Sequence, residues 1–213
     1  MKLIKPTVEI IKQEEYDLNH IFKFIELAGR TCYKSEDKIT EDSYEKMLKN
    51  IIKRGHTSVL EHEKITVRII CDRGVSHEFV RHRAFSFAQE STRYCNYTKD
   101  KFNNELTFII PCWIKDLKED NYYAYCEYHH SKNDASKRWF DSCMSSEFVY
   151  TNLIEEGWKP QEARTILPNS LKTELIMTGF NGDWQHFFEL RCATNAHPQA
   201  KELADMLKDK FNK

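Results

Sequence analysis

Arg81, His82 and Arg83 stand together. After seven intervening residues, the last two of them Gln89 and Glu90, come Ser91, Thr92, Arg93 and Tyr94. Three arginines, a histidine and several hydroxyls share this short window, and its one acid is Glu90. A run of charge is ordinarily a solvated face laced with ion pairs, but here acid does not balance base. An extended Ser91–Tyr94 segment puts Ser91 and Arg93 on one side. A hydroxyl beside a guanidinium suits a phosphate, which arginine can grip with two parallel donors. Arg81, His82 and Arg83, at a helix end, point in different directions. They would serve two neighbouring anionic ligands, or one ligand and one structural partner.

Two other chemistries compete for attention. His77, Glu78 and His82 imitate a zinc-protease helix, but a spacing of five residues turns the two histidines about 140° apart. They cannot clamp one metal from a single helical face, and no metal site is expected. Cys112, between Pro111 and Trp113, follows an apolar run and has no identifiable base or cation to activate it. A buried structural thiol is expected there, and an enzyme built on Cys112 as nucleophile is a rival reading. The 7 cysteines include no C-x-x-C pair and are odd in number, which fits reduced thiols. No G-x-S-x-G, Walker-type or G-x-G-x-x-G loop is present.

The elements that must position these groups follow from periodicity. Leu3–Ile11 reads as one strand, with Pro6 placing it at an edge. Leu18, Ile21, Phe22, Ile25 and Ala28 repeat at helical spacing and predict a helix from about Glu15 to Arg30. Tyr44, Met47, Leu48, Ile51 and Ile52 predict another over Glu41–Arg54, stopped by Gly55. Ile65, Val67, Ile69 and Cys71 alternate as a half-buried strand. A helix follows from Arg73 or Gly74 to Arg83, and Leu106–Ile110 is a short strand. Residues from Glu119 to Glu156 read as mostly helical, with a break near Lys132–Asp134. Pro160 opens a helix that ends before Pro168, and Leu171–Thr178 is a strand. Asp183 caps a helix through Arg191, and Pro198 opens a last helix to Phe211. Without a regular βαβ alternation, the class is α+β: a mixed or antiparallel sheet packed with helices.

The whole chain sets bounds on function. Its 213 residues suffice for one domain with a real core, expected to span residues 1–213, and no linker, repeat or low-complexity tract divides it,. Lys+Arg 32 against Asp+Glu 33 leaves a formal net charge of -1, which disfavours a general nucleic-acid binder. No apolar run approaches the roughly 20 residues of a membrane helix. Met1–Pro6 carries no signal-like stretch. A soluble cytoplasmic protein without nucleic-acid or membrane partners is expected.

The Arg81-His82-Arg83 triplet with Ser91 seven residues on, extended through Thr92-Arg93-Tyr94, resembles the signature of the flavin-dependent thymidylate synthases. Other blocks occur in that family's order. Gly55-His56-Thr57-Ser58-Val59-Leu60-Glu61-His62 is similar to its flavin-contacting segment. Glu162-Ala163-Arg164-Thr165-Ile166-Leu167-Pro168 is similar to its alanine-arginine…leucine-proline helix end. The stretch from Asp183-Trp184 through His186 to Arg191 is similar to the segment ending in its catalytic arginine. Residues from about Lys99 to Glu156 match only in being largely helical.

The resemblance implies a homotetramer with active sites shared between subunits. It implies conversion of dUMP to dTMP, with 5,10-methylenetetrahydrofolate as one-carbon donor and NADPH recharging bound FAD. By resemblance Arg191 is catalytic, stabilising the electron-rich uracil anion, and no cysteine nucleophile is required. The implied dUMP contacts are Glu78, Arg81, Gln89, Glu90, Ser91, Thr92, Arg93, Arg164 and Arg191. The implied FAD contacts are His56, Ser58, Glu61, Arg81, His82, Arg83, Gln89, Asn181 and His186. His62, His77, His129 and His130 match no role and are read as structural. The chain departs from the pattern in three places: Glu78 replaces a usual glutamine, Cys32 a frequent serine, and Gly182 an arginine that many relatives use toward FAD. A carboxylate at 78 would repel a phosphate unless it pairs with Arg81 or another base. A non-catalytic nucleotide-binding module using the arginine-rich segment is the alternative reading.

Overall fold

The computed structural model describes residues 1–11, 18–123 and 134–211. It is a single domain of mixed helix and sheet, with two sheets. Strands β1 (Lys2–Ile4), β5 (Thr107–Ile109) and β6 (Asp120–Asn121) form the smaller one. There β1 lies between parallel β5, with Leu3 opposite Phe108, and antiparallel β6. Strands β2 (Thr7–Ile10), β3 (Lys64–Asp72), β4 (Ser86–Gln89) and β7 (Lys172–Phe180) form an antiparallel sheet in the order β2-β3-β7-β4. One sheet, mixed or antiparallel, is expected from the sequence; the chain forms two, the smaller mixed and the larger antiparallel.

The predicted continuous strand Leu3–Ile11 is instead two strands in different sheets. Pro6, buried between them, has no N–H to give a ladder and a fixed φ, so pairing stops there and the chain crosses over. The long pair β3–β7 is the spine. Ile65, Val67, Ile69 and Cys71 of β3, with Leu175 and Met177 of β7, turn inward together at period two,.

Helices α1 (Leu18–Thr31), α2 (Ser43–Arg54), α3 (Arg73–Phe79), α6 (Asn181–Arg191) and α7 (Pro198–Phe211) supply the rest of the larger core. Gly55 ends α2 in the left-handed region at φ 68°, and its N–H bonds back to Ile51 and Ile52 carbonyls, as a helix-stop glycine should,. A second core gathers around Leu3, Phe108, Phe140, Tyr150 and Leu171, beneath α4 (Asp134–Glu155) and α5 (Pro160–Ala163).

Other expectations shift in detail. The helix expected to run to Arg83 ends at Phe79. His82 N–H bonds to the Phe79 carbonyl at 3.0 Å and Phe85 N–H to the His82 carbonyl at 3.1 Å, so residues 80–85 form tight turns. The helix predicted from Glu119 begins instead with β6, paired to the N-terminal strand, and α4 starts at Asp134. Residues 12–17 and 124–133, including the predicted start of the first helix, His129, His130 and Cys126, lie outside the described residues. Asp183 is not the N-cap of α6 but its third residue; its carboxylate reaches back to accept Phe180 N–H at 3.1 Å,.

Gly179 of β7 makes room for the turn that follows Arg83. A Cβ built on it would lie 2.4 Å from Phe85 Cε1. Phe85 in turn packs on Trp184 at 4.7 Å between ring centroids, and Trp184 Nε1–H is held by the Ile65 carbonyl at 3.1 Å. Gly179→Ala is expected to destabilise the protein by about 1–3 kcal/mol through overpacking. A denaturant midpoint shift at unchanged m-value would check this.

Candidate functional site

The geometry begins at the junction of β3 and α3. The Asp72 carboxylate caps α3 by accepting Val75 N–H at 2.7 Å, and Gln199 of α7 donates to its other oxygen at 2.5 Å,. Burial pushes this carboxyl up, and the two hydrogen bonds with nearby His197 counter that in part. Arg73 and Gly74 N–H groups bond to the Asn169 carbonyl. The short helix is thus fixed at its start, and its other end delivers Glu78.

Glu78 and the turn after α3 meet Arg191, the last residue of α6. Arg191 Nη1 donates to the Glu78 carboxylate at 2.7 Å, Nη2 to the Glu78 main-chain carbonyl at 2.7 Å, and Nε to His82 Nε2 at 2.9 Å. The base that pairs with Glu78 is therefore Arg191. The Arg191 side chain is only 16% exposed, that of Glu78 38%. A guanidinium offers donors only, so His82 Nε2 must present its lone pair and the ring proton sits on Nδ1. Burial pushes His82 down to about 4, with Arg191 and then His186 acting the same way and Glu78 opposing.

Arg191 and His82 border a cavity of about 350 Å³, whose walls also include Arg81, Arg83, Asp183 and His186. Arg81 and Arg83 are exposed. His186 is exposed too, 3.7 Å from Glu189. Asn181 is buried at the start of α6, with Gly182 next to it. The 3-10 turn Thr57–His62 packs against α6 and α1, so the exposed residues His56, Ser58 and Glu61 belong to the same side of the molecule. Two of the blocks singled out in the sequence thus converge around α6.

The other group lies at the far end of β4. Ser91–Tyr94 is not extended: the Ser91 carbonyl accepts Tyr94 and Cys95 N–H, and its hydroxyl accepts Arg93 N–H at 3.3 Å. A serine-initiated turn has displaced the strand, and it keeps Ser91 beside Arg93 by a different route. Arg93 Nε donates to Gln161 at 3.3 Å, and Arg164 Nη1 to the buried Thr92 hydroxyl at 3.4 Å. Glu162 is engaged elsewhere, accepting Lys159 N–H at 2.9 Å. Gln89 and Glu90 anchor the loop. Gln89 donates to Ser76 and Thr173 hydroxyls, while Glu90 takes the Tyr97 hydroxyl at 2.8 Å and Lys172 Nζ at 2.6 Å. The anchors Tyr97, Gln161 and Lys172, and Asp183 as a cavity wall, were not singled out as site residues. Only Asp183 carried a sequence signal, as a helix-start acid.

Residues 17–213 match the family model described as thymidylate synthase complementing protein. The chain belongs to this family. It is 33% identical over 177 residues to the flavin-dependent thymidylate synthase of Pyrococcus furiosus, covering 83% of this chain and 66% of that protein. With the enzyme of the same name from Geobacter sulfurreducens it shares 31% over 188 residues, 84% of this chain and 72% of that protein. The chain thus spans about two thirds of these relatives' length. Its fold is shared with a crystal structure of a UMP/dUMP methylase, PolB, from Streptomyces cacaoi bound with 5-Br dUMP. The TM-score is 0.72 at 22% identity, over 99% of this chain and 92% of that one.

In this member of the thymidylate synthase complementing family, burial raises the thiols of Cys71, Cys112, Cys143 (to about 12) and Cys192 (to about 11). For Cys112, Glu202 adds to the effect. A raised thiol is the reverse of an activated nucleophile.

For His82 the sign is set by its lowered value. The unfolded chain takes up a proton from about pH 6.5 downward, the folded chain only near 4. Stability should therefore be lost as the pH is lowered from about 6.5 to about 4,. A ¹⁵N NMR titration should show His82 as the neutral Nδ1–H tautomer at pH 7, with a midpoint near 4.

Proposed function

We propose that this protein is a flavin-dependent thymidylate synthase. It would convert dUMP reductively to dTMP with 5,10-methylenetetrahydrofolate and NADPH, through bound FAD and without a cysteine nucleophile. Family membership supports this reading. The observation that carries it is Arg191, held by three hydrogen bonds at the wall of a cavity lined by Arg81, His82 and Arg83.

The donor set fits the cofactor. Exposed Arg81 and Arg83 offer cations for a pyrophosphate, with His82 and His186 as polar partners in the cavity wall and His56, Ser58 and Glu61 on the adjoining turn; Asn181 is buried at the start of α6 and Gln89 bonds to Ser76 and Thr173 at the far end of β4. Bound FAD would supply the hydride that completes the methyl group. The chain's own work is binding and charge stabilisation. Uracil is a weak carbon nucleophile, and loss of its imide proton enriches the ring with electrons. Arg191 stabilises that anion with donors already in place. Ser91, Thr92, Arg93 and Arg164 hold the nucleotide phosphate on a loop that Gln89 and Glu90 tether, and Arg81 completes the dUMP contacts.

Arg81–Arg83 and Ser91–Arg93 lie at opposite ends of β4, which spans about 10 Å,. We infer that each site pairs the Arg191 side of one protomer with the Ser91 side of another, in a homotetramer. Exposed Phe24, Leu27, Tyr94, Phe148 and Trp158 offer apolar surface for such contacts,. The enzyme would be one synthase-like domain over residues 1–213, cytoplasmic, with a nucleotide and no nucleic acid as ligand. Among the described residues no helix is long and apolar enough to cross a membrane.

The test is dTMP formation from dUMP, methylenetetrahydrofolate, FAD and NADPH, with each component omitted in turn. Product is expected only in the complete mixture. A protein that binds dUMP yet forms no dTMP when loaded with FAD would overturn the reading. Cys112→Ala should retain turnover. Arg191→Ala should lower kcat about 10²–10³-fold, more than it weakens dUMP binding. Arg93→Ala should weaken dUMP binding instead, each lost charge-assisted bond being worth ~1.5–3 kcal/mol, a loss that calorimetry would register.

A further inference from the structure

Three of the N–H bonds of Arg191 are spent on acceptors from one short stretch: the Glu78 carboxylate, the Glu78 carbonyl and His82 Nε2. Each Nη keeps a second N–H. Arg191 borders the cavity, whereas Glu78 is not among the residues that line it. The carboxylate therefore lies on the guanidinium's braced side, and the two spare N–H bonds are the ones left for a ligand. The brace is anchored: α3 is pinned by Asp72, Gln199 and Asn169, and α6 by Trp184 on the Ile65 carbonyl.

We propose that Glu78 is a positioning residue for Arg191. It fixes the plane of the guanidinium against the end of α3 so that its two remaining N–H bonds face the pyrimidine, and it acts through Arg191 instead of touching the substrate. This rests on the synthase reading above. Two acceptors at 2.7 Å from one residue, with His82 Nε2 on the third nitrogen, hold every nitrogen of the planar group,. The main-chain carbonyl keeps its half of the brace in any substitution that leaves α3 intact. The side chain supplies the other half, and a neutral amide oxygen can still accept from Nη1.

Glu78→Gln and Glu78→Ala separate the alternatives. Glu78→Ala is expected to lower kcat about tenfold or more, since a small misplacement of a fixed charge is costly, while KM for dUMP changes less than about threefold. Glu78→Gln should recover most of the turnover. A readout independent of activity is the Nη1–H resonance of Arg191, the donor to the Glu78 carboxylate, identified by its absence in Arg191→Lys. It should be sharp and slow to exchange in the unaltered protein and in Glu78→Gln, and broadened in Glu78→Ala. An Arg191 signal insensitive to Glu78→Ala overturns the proposal whether or not the protein forms dTMP. So does a tenfold loss of dUMP affinity at unchanged kcat, which would make Glu78 a substrate contact. If the unaltered protein forms no dTMP while the Arg191 signal depends on Glu78, the synthase reading fails and the brace stands.

Discussion

A guanidinium can only donate, so a partly buried arginine is fixed wherever acceptors surround it. The end of α3 gives Arg191 three, two of them from a single residue. Much of the larger core serves to bring these groups into register. Strand β3 ends in the acid that caps α3, and the same strand offers the Ile65 carbonyl to Trp184 of α6. The two helices are thereby referenced to one strand, and the last residue of one meets the end of the other. Neither helix could shift by a turn without leaving a donor unpaired, at a cost of about 1–3 kcal/mol for each buried group.

The neutral state of His82 belongs to the same logic. A protonated imidazole beside a guanidinium would place two cations in contact and remove the Nε2 acceptor. Burial and the Arg191 charge keep the ring neutral, down to about 4. The cavity wall then carries the guanidinium groups of Arg81, Arg83 and Arg191 beside a neutral His82 ring. A chain with net charge -1 can thus carry a local cationic site without becoming a general polyanion binder.

What was legible in the sequence was periodic or local. Alternation gave β3 its residues and its inward face, helical spacing gave α2 and most of α1, and Gly55 and Pro198 marked ends that the structure keeps. Pro6 was noticed, but a single sequence cannot say that the chain leaves one sheet for another there. The Ser91 turn was hidden for a related reason: a serine that bonds its own backbone two residues on competes with an extended strand, and propensity does not decide the winner. At the candidate site, the spacing of Arg81–Arg83 from Ser91 singled out a window whose two halves the structure sets at opposite ends of β4. The pairings were out of reach, because Arg191–Glu78 joins residues 113 apart in sequence and Lys172–Glu90 residues 82 apart. No period links such positions, and the carboxylate at 78 could be read only as a group in need of a base.

The Glu78–Arg191 pair also explains how a carboxylate can stand near a site for an anion. An unpaired acid would repel a nucleotide and cost desolvation on burial. Paired behind the guanidinium, its field is largely cancelled on the cavity side, while its geometry remains. The pair gives up some of the full cationic strength of Arg191 in return for a fixed orientation. That exchange favours a charge that develops late, in a transition state, over one already present when the ligand binds, because preoriented donors need no reorganisation when the charge appears. The residues proposed to hold the phosphate are built the other way. Arg93 is exposed and held by a long bond to Gln161 and the face of the Tyr94 ring, 5.2 Å from its centroid, an arrangement free to close on a charge that is present from the start.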